Sequence, residues 1–295
     1  MTSLGSARAA RWVALLALAV WGAVSLPLLA GQRTLLARDV FSTHFQLKAF
    51  GARELQQGRI PALEPEWALG QPYRGNPNAS AFYPGNLLYL ALPFWSAFNA
   101  HFVLHWLLAL FAMRALGRAL GMEEASAFLA ALSYAAGGWV LSALTFYNLV
   151  VLAAWWPWAL WGAVRGGRRG IAVGGIACGM ALLGGEPVSA ALGVVPLVVF
   201  AAEGRGWWGA TRTAVTIGVV GCAIASPQIV ATARVIGFTF RGSHGLIVGA
   251  SRDAWPLVRA LEALLPLPFG WPWHVDGRGF WGWRWVPALP LISTL

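Results

Sequence analysis

The sequence predicts an all-α integral membrane protein, a polytopic bundle of transmembrane helices. Hydrophobic residues make up 58% of its 295 residues, and the mean hydropathy is +0.62. Apolar blocks long enough to cross a bilayer recur along the chain, whereas charged residues account for only 11% of it. A soluble protein of this length needs many more charged side chains to cover its surface, so a soluble fold is excluded.

The formal net charge of +10 comes from basic residues that cluster at the ends of the apolar blocks. Such clusters are typical of topology signals and of contacts with anionic lipid headgroups. Nucleic acid favours a basic stripe along one face and is therefore not an expected partner. The two cysteines, Cys178 and Cys222, lie within apolar blocks and are expected among packed helices.

The first predicted span covers residues 11–30, which is longer than the roughly 7 to 15 apolar residues of a secretory signal. We therefore expect an uncleaved helix with a cytoplasmic N terminus, followed by a long extracytoplasmic loop over 31–83. Within that loop, residues 40–57 predict an amphipathic helix that lies along the membrane interface. Its predicted apolar face consists of Phe41, Phe45, Ala49 and Ala52.

Further spans are predicted at 98–119, 125–145, 149–165 and 211–233. Arg114, Arg118 and the RGGRR motif at 165–169 place the ends of two of these spans in the cytoplasm. Residues 84–97 are apolar but only fourteen long, and both a tilted crossing and a segment that does not cross remain open.

The apolar block at 170–202 would span about 50 Å as one helix, which is too long for a single crossing. The GGEP motif at 184–187 interrupts it, so we expect two short helices that meet there and return the chain to the cytoplasm. Residues 234–295 then lie outside, with an interfacial helix at 254–265. The whole chain is expected to form one transmembrane domain.

Asp39 is the principal candidate for a catalytic residue because it follows the first span directly and precedes the amphipathic helix. Two roles remain open for its carboxylate. Aspartate is a good helix N-cap, which accepts hydrogen bonds from backbone N–H groups of the first turn. A carboxylate at the membrane face could also act as a general base that takes the proton from an attacking hydroxyl.

Basic side chains near Asp39 are candidates for binding a phosphate group. His44 and Lys48 are four residues apart and should project from one side of the helix. Together with Arg38 and Arg74 they could hold a phosphate whose negative charge grows as it leaves. The alternative is that these side chains extend toward lipid headgroups without binding a substrate.

The turn-rich stretch at 70–86 contains side chains suited to binding sugars. Tyr73, Asn76, Asn78 and Tyr83 can hydrogen-bond to hydroxyls or stack on sugar rings. Glu186 is a further candidate because acids within apolar segments are costly in lipid and usually functional or paired. Its alternative role is to cap the next helix within a wet vestibule.

A metal site is not supported by the sequence. His101 and His105 have the i, i+4 spacing of two ligands on one helix, but no third ligand lies nearby, and helix packing is the favoured interpretation. A divalent metal remains possible, and no other cofactor is expected. Motifs for nucleotide binding, zinc proteolysis and hydrolase chemistry are absent from the sequence.

Several motifs occur in a recognisable order after the first span. They are RDVFSTHFQLKAFGARELQQGRIPALEPEWALGQPYRGNPNASAFYPGNLLYL, HFVLHWLLALFAMRALGRALG, GGEP and LLPLPFGWP. In this order the chain resembles the bacterial YfhO-type family of membrane proteins, which belongs with the GT-C superfamily of polyprenyl-phosphate-sugar-dependent glycosyltransferases. The resemblance runs from about residue 10 to the C terminus and implies a GT-C-like fold in which Asp39 occupies the position of the essential loop acid. Relatives are longer, so we expect this chain to be the N-terminal part of such a protein.

The resemblance implies a multi-pass protein of the bacterial inner (cytoplasmic) membrane that transfers a sugar from a polyprenyl-phosphate donor to an extracytoplasmic acceptor, with inversion. Expected partners are the lipid-linked sugar and membrane lipids, and the sequence predicts no oligomeric state. Two alternatives remain open: a flippase or transporter of lipid-linked sugars, and a structural subunit without catalytic activity.

Overall fold

A computed structural model describes residues 12, 15, 19, 21–23, 25–36, 39–67 and 69–239. The predictions for Arg38, for the interfacial helix at 254–265 and for nearly all of the segment 234–295 lie outside these residues. The described residues between 12 and 29, labelled α1 here, are all helical, which agrees with the predicted first span.

The amphipathic helix of the first loop has the predicted length and buries Ala52 as predicted, but other parts of its buried face differ from the prediction. A π-helical turn, Val40–His44, leads into α2, Phe45–Gln56, and the helix ends before Gly58 at φ +71°. Phe41, expected on the apolar face, is 58% exposed, whereas Val40 and Leu47 are fully buried. The wide π turn contains one more residue than a regular α-helical turn. It therefore rotates the side chains that follow, which explains why the buried face differs from the predicted one.

A small β-hairpin, not predicted from the sequence, follows α2 in the first loop. Strand β1, Leu63–Glu64, pairs antiparallel with β2, Gln71–Pro72. The buried carboxylate of Glu64 accepts hydrogen bonds of 2.7 and 2.8 Å from the backbone N–H groups of Glu66 and Trp67. The described residues are otherwise helical or in turns, so the all-α class holds with this one addition.

Residues 84–97 do not form one continuous helix. A 3₁₀ turn, Pro84–Leu87, leads into the single-turn α3, Leu88–Ala91. The backbone then becomes extended at Leu92, and Pro93 precedes the first turn of the next helix. The segment is thus divided into a short helical part before Leu92 and the first turn of a long helix after it. It does not form a membrane span by itself.

The remaining helices overlap the spans predicted at 98–119, 125–145, 149–165 and 211–233 and the apolar block at 170–202, and the second of these spans is divided into two helices. They are α4, Phe94–Ala119; α5, Glu124–Ala135; α6, Gly138–Ala143; α7, Tyr147–Arg165; α8, Gly167–Leu183; α9, Pro187–Leu192; α10, Val194–Ala201; and α11, Gly206–Val235. Within the described residues, three helical segments are long and apolar enough to cross a membrane, namely Phe94–Ala119, Glu124–Ala143 and Gly206–Phe238. The described part of the chain is therefore mostly helical and contains three candidate membrane-spanning segments.

The GGEP motif interrupts the long apolar block as predicted. Helix α8 ends just before Gly184, and the chain continues after the motif through α9 and α10. Gly185 has φ +100°, and a Cβ atom there would lie only 2.2 Å from the carbonyl oxygen of Pro77. Glycine is required at this position both by the backbone conformation and by the close approach of the first loop.

Helices α7 and α8 pack with their backbones in direct contact. A Cβ atom on Gly162 would lie 2.5 Å from the carbonyl oxygen of Gly170 and 2.6 Å from the Cα atom of Gly174. Helix α11 covers the other side of α8, and α4 packs on α7. Close approach through small residues is typical of helix pairs in membranes, where lipid gives little hydrophobic drive for association.

The antiparallel helices define two ends of the bundle. At the loop end, α4 and α7 begin, α8 and α11 end, and the first loop packs on them. At the arginine end, α4 and α7 end, and α5, α8 and α11 begin. The arginine end carries Arg114, Arg118, Arg165, Arg168, Arg169, Arg205 and Arg212, with Glu123, Glu124 and Glu203 as its acids.

Candidate functional site

Asp39 lies exposed at the start of the π turn that opens the amphipathic helix. Its side chain forms no capping hydrogen bond, so the N-cap interpretation of this residue is wrong. The physical reason is its helical backbone conformation, φ −68° and ψ −19°, since a capping side chain normally requires an extended conformation. The carboxylate is therefore left accessible at the surface of the loop end.

Lys48 lies two turns further along and points into the protein. It is the only lysine in the sequence, and it is 1% exposed. Its ammonium nitrogen donates hydrogen bonds to the carbonyl oxygen of Ala79 at 2.7 Å and to Oδ1 of Asn86 at 3.1 Å, and lies 4.6 Å from the ring centroid of Tyr147. These partners are all uncharged, and burial lowers the pKa of Lys48 to about 7.

His44 precedes Lys48 by one turn and shares its buried face. Its Nδ1 atom lies 3.3 Å from the carbonyl oxygen of Asn78, and the side chain is 2% exposed. Burial, followed by the nearby charge of Lys48, lowers the pKa of His44 to about 4. The imidazole is therefore neutral at pH 7, and a neutral ring can donate from Nδ1 to that carbonyl.

Two members of the predicted phosphate clamp, His44 and Lys48, do not lie at the surface. His44 and Lys48 turn inward and fasten the turn at 78–86 to α2, so neither is placed to reach a lipid headgroup. Arg74 is exposed, and its carbonyl oxygen accepts a 3.1 Å hydrogen bond from Nε2 of Gln228 in α11. Arg74 is the member of the predicted clamp whose side chain remains at the described surface.

The predicted sugar-binding residues are largely engaged within the protein. Tyr73 is buried with its ring edge-on to Phe50 at 5.1 Å, and burial raises its pKa to about 12. Oδ1 of Asn76 accepts a 3.0 Å hydrogen bond from the backbone N–H of Asn78 and so begins the next 3₁₀ turn. These contacts give Tyr73 and Asn76 a structural role in the described conformation.

Tyr83 and Asn78 join a polar network that extends into the helices. The Tyr83 hydroxyl accepts a 2.9 Å hydrogen bond from Nε1 of Trp155 and also contacts Nε2 of His105. Oδ1 of Asn78 lies 3.2 Å from Nδ2 of Asn148 at the start of α7. Residues far apart in the sequence thus meet at the loop end.

Glu186 is half-buried and also contacts Asn148. Its Oε2 atom lies 3.3 Å from Nδ2 of Asn148, which is equally close to the carbonyl oxygen of Gly185. The structure therefore brings Glu186 to the same end of the bundle as the first loop, as the sequence predicted. Asn148 connects α7, the GGEP turn and the first loop.

Two histidines of α4, for which the sequence favoured a role in helix packing, also form part of this network. The His101 ring stacks on Tyr147 with ring centroids 3.5 Å apart, and its Nε2 atom lies 2.9 Å from the Tyr147 carbonyl oxygen. His105 contacts Tyr83, which extends the network toward Trp155. The spacing of the two histidines marked one helix face but could not identify these partners, because they lie between 22 and 46 residues away.

Among the described residues, no group of three or more His, Cys, Asp or Glu side chains could hold a metal ion. The cleft beside Lys48 is narrow, with a volume of about 10 Å³. That volume suffices for about one water molecule. Tyr73, Asn86 and Tyr89 are among its lining residues, and this cleft is too small for a sugar.

No protein-family model, curated protein or solved structure matches this chain. The resemblance to YfhO-type proteins consequently rests on the order of the sequence motifs quoted above. At the loop end, an exposed acid lies on a helix that is anchored by buried polar contacts, and this arrangement carries the functional evidence.

Proposed function

We propose that this chain is a membrane glycosyltransferase, or its N-terminal part, that takes a sugar from a polyprenyl-phosphate donor at the loop end. The observation that carries this proposal is the exposed carboxylate of Asp39, which is free of a capping hydrogen bond. The buried contacts of His44 and Lys48 hold the same helix against the bundle. An anchored helix can keep a general base in a fixed position beside the membrane, where a lipid-linked substrate must react.

In the proposed reaction, the Asp39 carboxylate takes the proton from an acceptor hydroxyl. The acceptor oxygen then forms a bond to the anomeric carbon while the bond from that carbon to the phosphate oxygen breaks. In-line displacement inverts the anomeric centre and releases polyprenyl phosphate, and the proton remains on Asp39. No step requires a redox partner, and the leaving phosphate carries away the electrons of the broken bond.

The negative charge that develops on the phosphate needs a cation near the headgroup plane. Arg74 and Arg33 are both exposed at the loop end, and neither forms an ion pair with the described residues. Arginine can bind phosphate with two parallel hydrogen bonds. We assign this role to Arg74 first, because its main chain is tied to α11.

The charge distribution supports an orientation with the loop end outside the cytoplasm. Cations and acids nearly balance among the described residues of the loop end, whereas cations predominate at the arginine end. Cytoplasmic ends of membrane helices are typically enriched in arginine and lysine. The proposed reaction would then take place on the extracytoplasmic face.

Replacing Asp39 with asparagine tests the proposal. Membranes containing the full chain would be supplied with a radiolabelled polyprenyl-phosphate sugar, and label transferred to a water-soluble or lipid acceptor would be measured. Loss of a general base typically costs about 10² to 10⁴-fold in rate. We therefore expect D39N to lower transfer by at least about 100-fold.

Glu203→Gln is the matched control because it neutralises an exposed acid at the opposite end. Its transfer rate should equal that of the wild type, and D39E should retain part of the activity. Unchanged transfer in D39N would remove Asp39 from the mechanism. Movement of the intact donor across the membrane, without bond cleavage, would instead support a flippase.

A structural subunit without catalytic activity is the second candidate, and the packing around Lys48 favours it. His44 and Lys48, suggested for donor binding, and Asn76, suggested for sugar binding, are occupied by contacts within the protein, and the adjacent cleft admits about one water. Normal function of a larger complex containing D39N would support this candidate over the enzyme.

A further inference from the structure

An open groove lies between the first turns of α8 and α11 at the arginine end, far along the bundle from Asp39. Its volume is about 470 Å³. This falls within the roughly 300 to 1,000 Å³ that ligand clefts commonly occupy. Glycines at positions 167 and 209 contribute no side chains, which leaves the groove open, and Ile171 forms part of its lining.

Two arginines give the groove its charge. Arg205 is held in place by hydrogen bonds from Nη1 to the carbonyl oxygens of Ala163 and Ala201 and from Nη2 to that of Val164. These carbonyls are neutral, so the guanidinium keeps its positive charge at the groove wall. Arg212 is exposed, and no ion pair is formed by it within the described part of the chain.

The lining of the groove contains no acidic residue among those that the structure describes. Arg168 and Arg169 are exposed on the adjacent first turn of α8 and outnumber the one acid near Arg205, Glu203, so the surroundings are positive overall. Charge complementarity therefore favours an anion, and guanidinium groups match the oxygens of a phosphate particularly well.

The groove also lies at the depth expected of a lipid headgroup. Trp207 and Trp208, at the start of α11, are 69% and 78% exposed, and tryptophan is enriched where membrane helices meet water. Val215 and Val219 follow Arg212 on the same side of α11 and are 56% and 62% exposed. An acyl chain attached to a phosphate in the groove could lie along these valines.

We propose that this groove binds the phosphate headgroup of an anionic phospholipid in the leaflet at the arginine end. Arg205 presents a fixed positive charge and Arg212 supplies a mobile one, while the exposed valines contact the acyl chain. Basic sites between membrane helices bind anionic headgroups by this combination. The site is independent of the proposed transfer reaction, since it lies at the opposite end of the bundle.

The test measures lipid retention by the full chain purified in a neutral detergent. Phosphatidylglycerol and phosphatidylcholine with identical acyl chains would be added, and bound lipid would be counted by native mass spectrometry. Each arginine near a membrane surface contributes about 1 kcal/mol to binding anionic lipid, which corresponds to about fivefold in affinity. We expect R212Q to bind phosphatidylglycerol about fivefold more weakly than the wild type.

Arg234→Gln is the matched control because it removes an exposed arginine from the other end of the same helix. It should retain phosphatidylglycerol like the wild type. Equal binding of the two lipids, or equal binding by R212Q and R234Q, would overturn the proposal. Full displacement of the lipid by inorganic phosphate would also overturn the proposal and would indicate a site for free phosphate. Retention of the lipid in the presence of inorganic phosphate would support the headgroup site.

Discussion

The two ends of the bundle use positive charge in different ways. At the loop end, Lys48 is almost completely buried, and its ammonium contacts two neutral oxygens and an aromatic ring. At the arginine end, Arg212 and Arg118 remain exposed, and Arg205 binds the carbonyl oxygens at helix ends. The first arrangement fastens a loop to helices, whereas the second leaves charge at the surface for lipid.

A basic residue near a membrane segment therefore has no fixed role. Burial of Lys48 costs solvation free energy, which its oxygen acceptors and the Tyr147 ring offset through specific contacts. Exposed arginines incur little of that cost, and each contributes little to folding. The loop end should therefore be sensitive to substitution and the arginine end tolerant of it.

The largest difference is expected from two glycines with positive φ. Gly185, at the loop end, has φ +100° and closely approaches Pro77, whereas Gly204, at the arginine end, has φ +71° and open space around it. Alanine at Gly204 should cost about 1 kcal/mol for the backbone conformation alone. Alanine at Gly185 adds steric overlap and should cost about 3 kcal/mol in total.

Unfolding of both variants in detergent, followed by tryptophan fluorescence, would measure these costs. Equal destabilisation by G185A and G204A would show that the contact between the GGEP turn and the first loop contributes nothing to stability. A greater loss for G204A would reverse the comparison between the ends.

An intermediate effect is expected from the titration of Lys48. Its pKa is lowered from 10.5 to about 7 by burial, so the unfolded chain binds more protons between these pH values. The free energy of unfolding should therefore rise with pH above about 7, with a slope of up to about 1.4 kcal/mol per pH unit. K48M removes the titrating amine and should lose this contribution.

Chemical unfolding of the wild type and K48M between pH 7 and about 9.5 tests this slope below the ordinary pKa of tyrosine. His44 does not interfere, because its pKa of about 4 lies below the range. Identical slopes for the two proteins would mean that the lysine keeps its proton in the folded state.

The smallest effect is expected from neutralising Arg118 at the arginine end. Its Nε atom lies 3.5 Å from Oε2 of Glu124, and both side chains are about half exposed. Exposed ion pairs typically contribute about 0 to 1 kcal/mol, so R118Q should change the free energy of unfolding by less than about 1 kcal/mol. A loss as large as that of G185A would contradict the proposed tolerance of this end.

Much of the helical architecture could be predicted from apolar length and from breaks in it. The helix that begins after Asp39, the long helices and the interruption at GGEP all follow from local sequence. The buried face of the amphipathic helix could not be predicted from local sequence. The π turn at Val40–His44 changes the direction of later side chains, and no clear sequence signal marks that turn.

The inward direction of Lys48 could not be predicted because its partners are supplied by distant segments. Ala79 and Asn86 are 31 and 38 residues away, and the Tyr147 ring comes from a different helix. Spacing along one helix identified His44 and Lys48 as neighbours, yet it could not tell whether their common face met lipid or protein. Tertiary contacts decided the question.

The contact of α7 with α8 through Gly162 and Gly170 limits how the bundle can deform. Two main chains in direct contact cannot slide past each other without first separating. Helices α7 and α8 should therefore move together as one rigid unit. The short helices α9 and α10 meet at Gly193, which packs directly against the Trp156 side chain of α7, so this joint should move with the same pair.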